Sequence, residues 1–312
     1  MGRYVIRRLI QAIPIVLGTT LLIYAIVFAL PGDPVTALAG DRRIDSHIVD
    51  VLRARYHLND PFLVQYWHYL AGLFHGNFGV TAAGVPVTEI MAGKFQVTVN
   101  LAVTALAMEA VAGIGLGVYA ALRHGRAQDS LILAATLVLV SIPALVTGFV
   151  LQLLLGVRLR QAGIDLFPVA GLTGDWRGYL LPGFVLAGTS IAYLTRLTRT
   201  SLMETLRADY IRTAVAKGLP RRRVVGRHAL RNALIPMVTY LGADLGTLMG
   251  GAVITETIFN LPGVGQQLFT SIYLREQPVV VGAVTVLVLV YILANLVVDL
   301  LYAVLDPRIR YE

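Results

Sequence analysis

The chain of 312 residues contains no cysteine, only 2 tryptophans and 6 histidines, and just 14% charged residues. Without cysteine there are no disulfides, no haem-attachment motif, no thiolate metal site and no cysteine nucleophile. So few charges, set against 56% hydrophobic residues and a mean hydropathy of +0.71, exclude a water-soluble globule, a disordered tail and a secreted disulfide scaffold. There is no Gly-x-x-x-x-Gly-Lys-Ser/Thr run, and Gly93-Lys94-Phe95 does not make one, so a loop that cradles ATP phosphates is missing. An intramembrane hydrolase would need Gly-x-Ser-x-Gly or His-Glu-x-x-His, and neither occurs.

What the chain does have is apolar runs of membrane-crossing length. Six are expected to span, over 9–30, 101–122, 131–155, about 179–194, 233–258 and 279–305. The fourth is short, begins near Pro182 and Gly183, and is expected to continue as helix past Tyr193 into polar sequence. None of the runs alternates in polarity as barrel strands do, so the expected fold is all-α, a polytopic bundle of six transmembrane helices. An even number of spans places both termini on one side. That side carries 17 of the 26 basic residues, including Arg7, Arg8, Arg123, Arg126 and the cluster from Arg196 to Arg231, so it is read as cytoplasmic.

Arg7-Arg8 ahead of an apolar run mimics a secretory signal, but the run exceeds the usual signal length of about 7–15 residues. With Met1 present, an uncleaved anchor is expected. The chain then divides into an anchor with span 1 (1–30), an extracytoplasmic segment (31–100) and a core (101–312) containing the polar cytoplasmic segment 195–232. In the extracytoplasmic segment, Asp60-Pro61 before the aromatic-rich stretch Phe62 to Phe74 predicts a short helix over or beside the bundle. His47, His57, His68 and His75 fall there. His68 and His75 would share a helical face, yet no acidic or thiol partner stands at ligand spacing, so solvated histidines are expected and no metal.

Segment 195–232 is different in kind. Leu202, Leu206, Tyr210, Ala214 and Lys217 recur at helical spacing, then Gly218-Leu219-Pro220 stops one helix and starts another. A helix-turn-helix reading for DNA fails, because a duplex cannot approach so close to a bilayer, and no nucleic-acid partner is expected. Two readings remain. A polybasic loop can bind anionic membrane lipid, and small residues flanked by arginines can dock a cytoplasmic protein.

At this point the sequence resembles the permease subunits of binding-protein-dependent ABC importers, of the dipeptide/oligopeptide permease B type. The family motif is Glu-Ala-Ala, three residues, Gly, then nine residues before Ile-x-Leu-Pro. Ala214 and Gly218 match it, Arg212 and Thr213 replace the first two residues, and His228, Leu230 and Arg231 stand where Ile, Leu and Pro are usual. The peptide branch departs in the same way, reading as Arg212 to Leu219 and Arg227 to Pro236 do here. Arg7-Arg8 with Pro31-Gly32-Asp33-Pro34, Glu256 to Gly265, and Asp299 to Arg310 resemble the same branch. Asn77 in His75-Gly76-Asn77-Phe78-Gly79 departs from its more usual Asp.

The resemblance implies a type I importer architecture in a bacterial inner or plasma membrane. It implies a second permease subunit, two ATP-binding subunits and an extracytoplasmic substrate-binding protein, with ATP and Mg held by those partners and no cofactor in this chain. The ATPase-coupling residues would be Arg212, Thr213, Ala214, Ala216, Lys217, Gly218, Leu219, Pro220 and Arg227. The expected cargo is di- or oligopeptide; nickel, glutathione or haem are alternatives within the family. An ion-coupled secondary transporter is the rival class, but the spans show no internal symmetry and it leaves the basic segment unexplained.

Within the spans, Gly242, Gly246 and Gly250 recur every four residues, a pattern that packs helices closely inside one chain or against a second permease. Asp244 lies on another face and is the leading pathway candidate, since a carboxylate at that depth needs a polar cavity or a partner. Glu256 lies near the outer end, where snorkelling to water would suffice, though the resemblance suggests an outer gate. Glu109 and Asp299 are expected to be structural, hydrogen-bonded within the bundle. Pro143 is expected to kink span 3.

Overall fold

The computed structural model describes residues 2–28, 46–55, 58–81, 84–172 and 174–305. Pro31 to Pro34, His57, and Asp306 to Arg310 lie outside them, as does the side chain of Asp299. The elements are α1 (Gly2–Phe28), α2 (Ser46–Arg55), α3 (Phe62–Phe74), α4 (Val87–Leu122), α5 (Ala127–Ser141), α6 (Ala144–Leu151), α7 (Leu180–Leu206), α8 (Asp209–Ala216), α9 (Ile235–Phe259), α10 (Val264–Tyr273) and α11 (Gln277–Leu305). Among the described residues the fold is all-α, apart from one isolated bridge between Val80 and Pro86. Six helical stretches there are long and apolar enough to cross a membrane: Ile6–Phe28, Val87–Leu122, Ala144–Gln161, Trp176–Leu206, Ile235–Phe259 and Gln277–Leu296. Side chains such as Ile10, Val111 and Phe149 stand exposed along these helices, as lipid-facing positions should.

The third span differs from expectation. The apolar run from Leu131 is broken, not kinked: Ile142 is extended and Pro143 caps a new helix. Proline lacks the N–H that would continue α5 and pushes its predecessor out of helical geometry. The crossing stretch is therefore Ala144–Gln161, whose middle is π-helical over Gln152–Arg158, while α5 is a separate 15-residue helix. The fourth span does run on, as α7, from Leu180 to Leu206.

The chain forms two compact units, residues 1–98 with 261–312, and residues 99–260. In the first, α1 packs along α11, and α3 begins directly after Pro61. Helix α3 lies beside the spans through its tyrosines. Tyr66 Oη donates to Leu17 O at 3.0 Å, Tyr69 Oη meets Thr285 Oγ1 at 2.7 Å, and the Tyr66 ring lies 5.7 Å from that of Tyr24. His68 lies 3.9 Å from Asp60, an acidic neighbour that spacing alone did not suggest, and His75 Nδ1 is 2.9 Å from Ala71 O. Asn77 Oδ1 accepts from Gly79 N at 2.9 Å, a bond that the family's aspartate would also make without needing its charge.

In the second unit, α7 is the central element, packed by α5, α6 and α9. It also lies close against α4. A Cβ added at Gly113 would sit 2.9 Å from Leu194, and one at Gly117 would sit 2.6 Å from Thr195 O. The four-residue glycine spacing that brings two helices together inside this chain is thus Gly113 and Gly117. In the other stripe, Gly246 is buried, Gly242 is half-buried, and Gly250 is exposed with open space where a side chain would go.

Candidate functional site: a braced polar segment and buried carboxylates

The polar segment is built as a short helix clamped at both ends. Helix α7 ends at Leu206, and the extended Ala208 starts α8, so the expected continuous stripe through Tyr210 and Lys217 is interrupted at 207–208. The break resets the register: Ile211 and Ala214 are buried, whereas Tyr210 and Lys217 are exposed. Ile211 and Ala214 pack with Ala121, Leu202, Val224, Ala229 and Ala233. Full burial of one such aliphatic side chain contributes about 2 kcal/mol, enough to hold a two-turn helix that would be unstable alone.

The C-terminus of α8 follows from Gly218-Leu219. Gly218 adopts φ +75°, its N–H donates to Val215 O at 2.9 Å, and Leu219 N–H donates to Ala214 O at 3.3 Å. This pair of bonds closes a helix end around a left-handed residue, which glycine tolerates without steric cost. Leu219 then packs against the same core, and Pro220 caps the turn Arg221–Arg223. Two further bonds tie the segment to its neighbours: Asn232 Nδ2 donates to Tyr210 Oη at 2.9 Å, and Ser201 Oγ donates to Ala233 O at 3.0 Å. Arg212, Thr213, Val215, Ala216, Lys217, Gly218, Pro220 and Arg227 are left facing outward.

One clamp has no counterpart in the sequence reading. Arg199 on α7 donates to both oxygens of Asp129 on α5, at 2.6 and 2.8 Å, and Gly125 N–H adds a bond of 3.0 Å. The Arg199 guanidinium, helped by that amide, holds the buried Asp129 carboxyl well below the usual carboxylate range. The two residues are 70 apart in sequence, and only the fold pairs them.

Deeper in the same unit lie the acidic residues of the spans. Asp244 on α9 is buried and accepts from Ser190 Oγ at 2.7 Å. Glu109 on α4 is fully buried, and no N–H or O–H group donates to either of its oxygens; its polar neighbour is the Asp244 carboxyl, close enough to share a proton with it. The two carboxylates are close enough for their charges to interact. Tyr240, one turn before Asp244, stacks on Tyr193 at 4.6 Å and closes the cluster on its exposed side. Glu256 is also fully buried, so snorkelling to water does not account for it. It sits where α9 ends: Asn260 turns left-handed, Gly171 N–H donates to Phe259 O at 2.8 Å, and Gln152 Nε2 donates to Ile258 O at 3.2 Å. Among the described residues no group of three or more metal-ligating acids and histidines occurs.

Six apolar crossings, with a short amphipathic helix braced on the polar ends of two of them, define a multi-span membrane component. The chain belongs to the family described as binding-protein-dependent transport system inner membrane component, whose model matches residues 113–311; the model of that system's N-terminal membrane component matches residues 1–102. It is 38% identical to the dipeptide transport system permease protein DppB of Escherichia coli (strain K12), covering 100% of both chains. It is 36% identical to the glutathione transport system permease protein GsiC of Salmonella typhimurium (strain LT2), again over 100% of both. The chain is therefore an inner-membrane permease component of an ABC importer, and not its catalytic subunit.

Proposed function

We propose that this chain is one of two permease subunits of an importer for short peptides. Full-length identity of 38% to a dipeptide permease carries the substrate class, and the glutathione permease at 36% points to a cargo of the same kind, a small molecule with amide bonds and a free ammonium. Two ATP-binding subunits hold ATP and Mg, and an extracytoplasmic binding protein delivers the peptide. The excess of basic residues on one side supports a cytoplasmic position for the termini and the polar segment.

In this reading α8 is the coupling element. Arg212, Thr213, Ala216, Lys217, Gly218, Pro220 and Arg227 meet the ATP-binding subunit, while Ala214 and Leu219 face inward and brace the helix. Because α8 packs against Leu202 of α7 and Tyr210 is bonded to Asn232 just before α9, a push on it moves those spans with little loss. Asp244, with Glu109 beside it, offers negative charge to the peptide ammonium during passage, and Glu256 serves the outer end of the path. The open position at Gly250 meets the second permease, whereas Gly246 on the same stripe is already buried inside this chain.

The test is uptake of radiolabelled dialanine into proteoliposomes holding the complete complex and its binding protein. ATP-dependent accumulation is expected. Accumulation driven by a proton or sodium gradient without ATP would sink the proposal.

A further inference from the structure

The second unit carries a feature that import does not use. A cleft of about 590 Å³ is lined by Arg123, Arg126, Arg221 and Arg222, with Leu122 and Val225 as apolar lining. Four guanidinium groups gather there, and no ion pair among the described residues uses any of them. The acids near by in sequence are engaged elsewhere: Asp129 by Arg199 at 2.6 Å, and Asp209 by Arg212 at 3.4 Å. Like charges held together without a counter-charge call for an anion.

The position of the cleft says which anion. Leu122 is the last residue of a span, and Tyr119, one turn earlier, is 45% exposed beneath the Arg123 guanidinium, 5.6 Å from its ring centroid. An exposed tyrosine beside an arginine at the end of a span marks the headgroup level of a bilayer. Arginine forks suit phosphate oxygens, and Leu122 and Val225 suit the glycerol and first methylenes that follow a lipid phosphate. A soluble phosphate would have no use for the apolar lining. We propose that this cleft binds the phosphate headgroup of an anionic phospholipid, held between the α4–α5 turn and the segment after Pro220. The bound lipid would link the coupling segment to the bilayer, whatever solute the importer carries.

The test uses the complete complex, purified and titrated with phosphatidylglycerol, phosphatidylcholine or glycerol 3-phosphate, with bound molecules counted by native mass spectrometry. Wild type should retain phosphatidylglycerol and not phosphatidylcholine. Each guanidinium near a membrane surface contributes about fivefold in affinity, so the double variant Arg221→Gln, Arg222→Gln should bind phosphatidylglycerol about thirtyfold more weakly. The pair Arg123→Gln, Arg126→Gln should do the same, and it serves if the first variant fails to assemble. Equal retention of the two lipids, or unchanged phosphatidylglycerol binding in both variants, would overturn the proposal. Glycerol 3-phosphate binding as tightly as the lipid would assign the cleft to a soluble phosphate instead. Loss of the ATP-binding subunits with lipid retention unchanged would make it a protein contact.

Discussion

Around α8, the chain's own groups meet its polar needs: Gly218 and Leu219 donate to Val215 O and Ala214 O, Asn232 reaches Tyr210, and Arg199 closes on Asp129. Around Glu109 the opposite holds, with two carboxyl groups side by side, a single hydroxyl bond from Ser190 to Asp244, and no N–H or O–H group donating to either Glu109 oxygen. Both regions lie in the same unit and share helices α4 and α7. A buried polar group without a partner costs about 1–3 kcal/mol, and more when charged, so the difference is energetic as well as geometric. The braced region holds a fixed shape. The unsatisfied region is where stability has been given up.

The largest test of this contrast is at Gly218. Gly218→Ala places a side chain at φ +75° and should cost about 1 kcal/mol of stability, with uptake retained. Gly218→Trp carries the same backbone strain, and its bulk projects into open space on the outward face. It should insert and assemble with the second permease yet abolish ATP-dependent uptake; normal uptake would remove α8 from the coupling path. Next in size is Arg199→Ala, which leaves the buried Asp129 carboxylate without its guanidinium, held only by the Gly125 N–H and the His124 ring. It should destabilise the chain by about 3 kcal/mol, read as a lower denaturation midpoint in detergent. No change would mean that water already serves Asp129.

Glu109→Met probes the other side of the comparison. Removing a buried carboxyl that no N–H or O–H group serves, while keeping volume, should raise stability by about 1–3 kcal/mol and lower peptide uptake. A fall in stability would show that its contact with Asp244 holds the fold together. The smallest effect expected is with pH. The native Asp129 carboxyl is held below its unfolded range, so the folded state binds fewer protons in acid and the clamp's contribution is complete above about pH 5. It should fade as pH falls toward the lowered native value, and Asp129→Asn should flatten that acid limb. An unchanged limb would mean that other carboxylates dominate it.

Much of this architecture was legible from residue pattern alone. Six apolar runs announced six spans, Asp60-Pro61 announced α3, and Gly218-Leu219-Pro220 announced the end of α8, because length, proline and glycine act locally. The third span was misplaced, since the run from Leu131 to Leu155 is apolar throughout and hydropathy has no edge to find there; the break comes from the backbone at Ile142-Pro143. The stripe at Leu202, Leu206 and Tyr210 lost its register at 207–208, where a span must hand over to a helix with a different buried face. The Gly113 and Gly117 pair carried the same four-residue signal as the stripe in α9, but spacing does not say which stripe meets a neighbour inside the chain. The Asp129–Arg199 clamp and the meeting of Glu109 with Asp244 join residues far apart in sequence, and local pattern cannot pair them.

In the proposed coupling path, the outward face of α8 receives the motion of an ATP-binding subunit. A chain with no native cysteine makes this directly measurable. Val215 is 59% exposed on that face, and Ile211 is 3% exposed on the inward one. In the assembled complex, Val215→Cys labelled with a short maleimide–diazirine reagent should photo-cross-link to the ATP-binding subunit, with a yield that changes when ATP is added, while Ile211→Cys should not. Equal labelling of the two positions, or a Val215→Cys chain that cross-links to no ATP-binding subunit, would contradict the account.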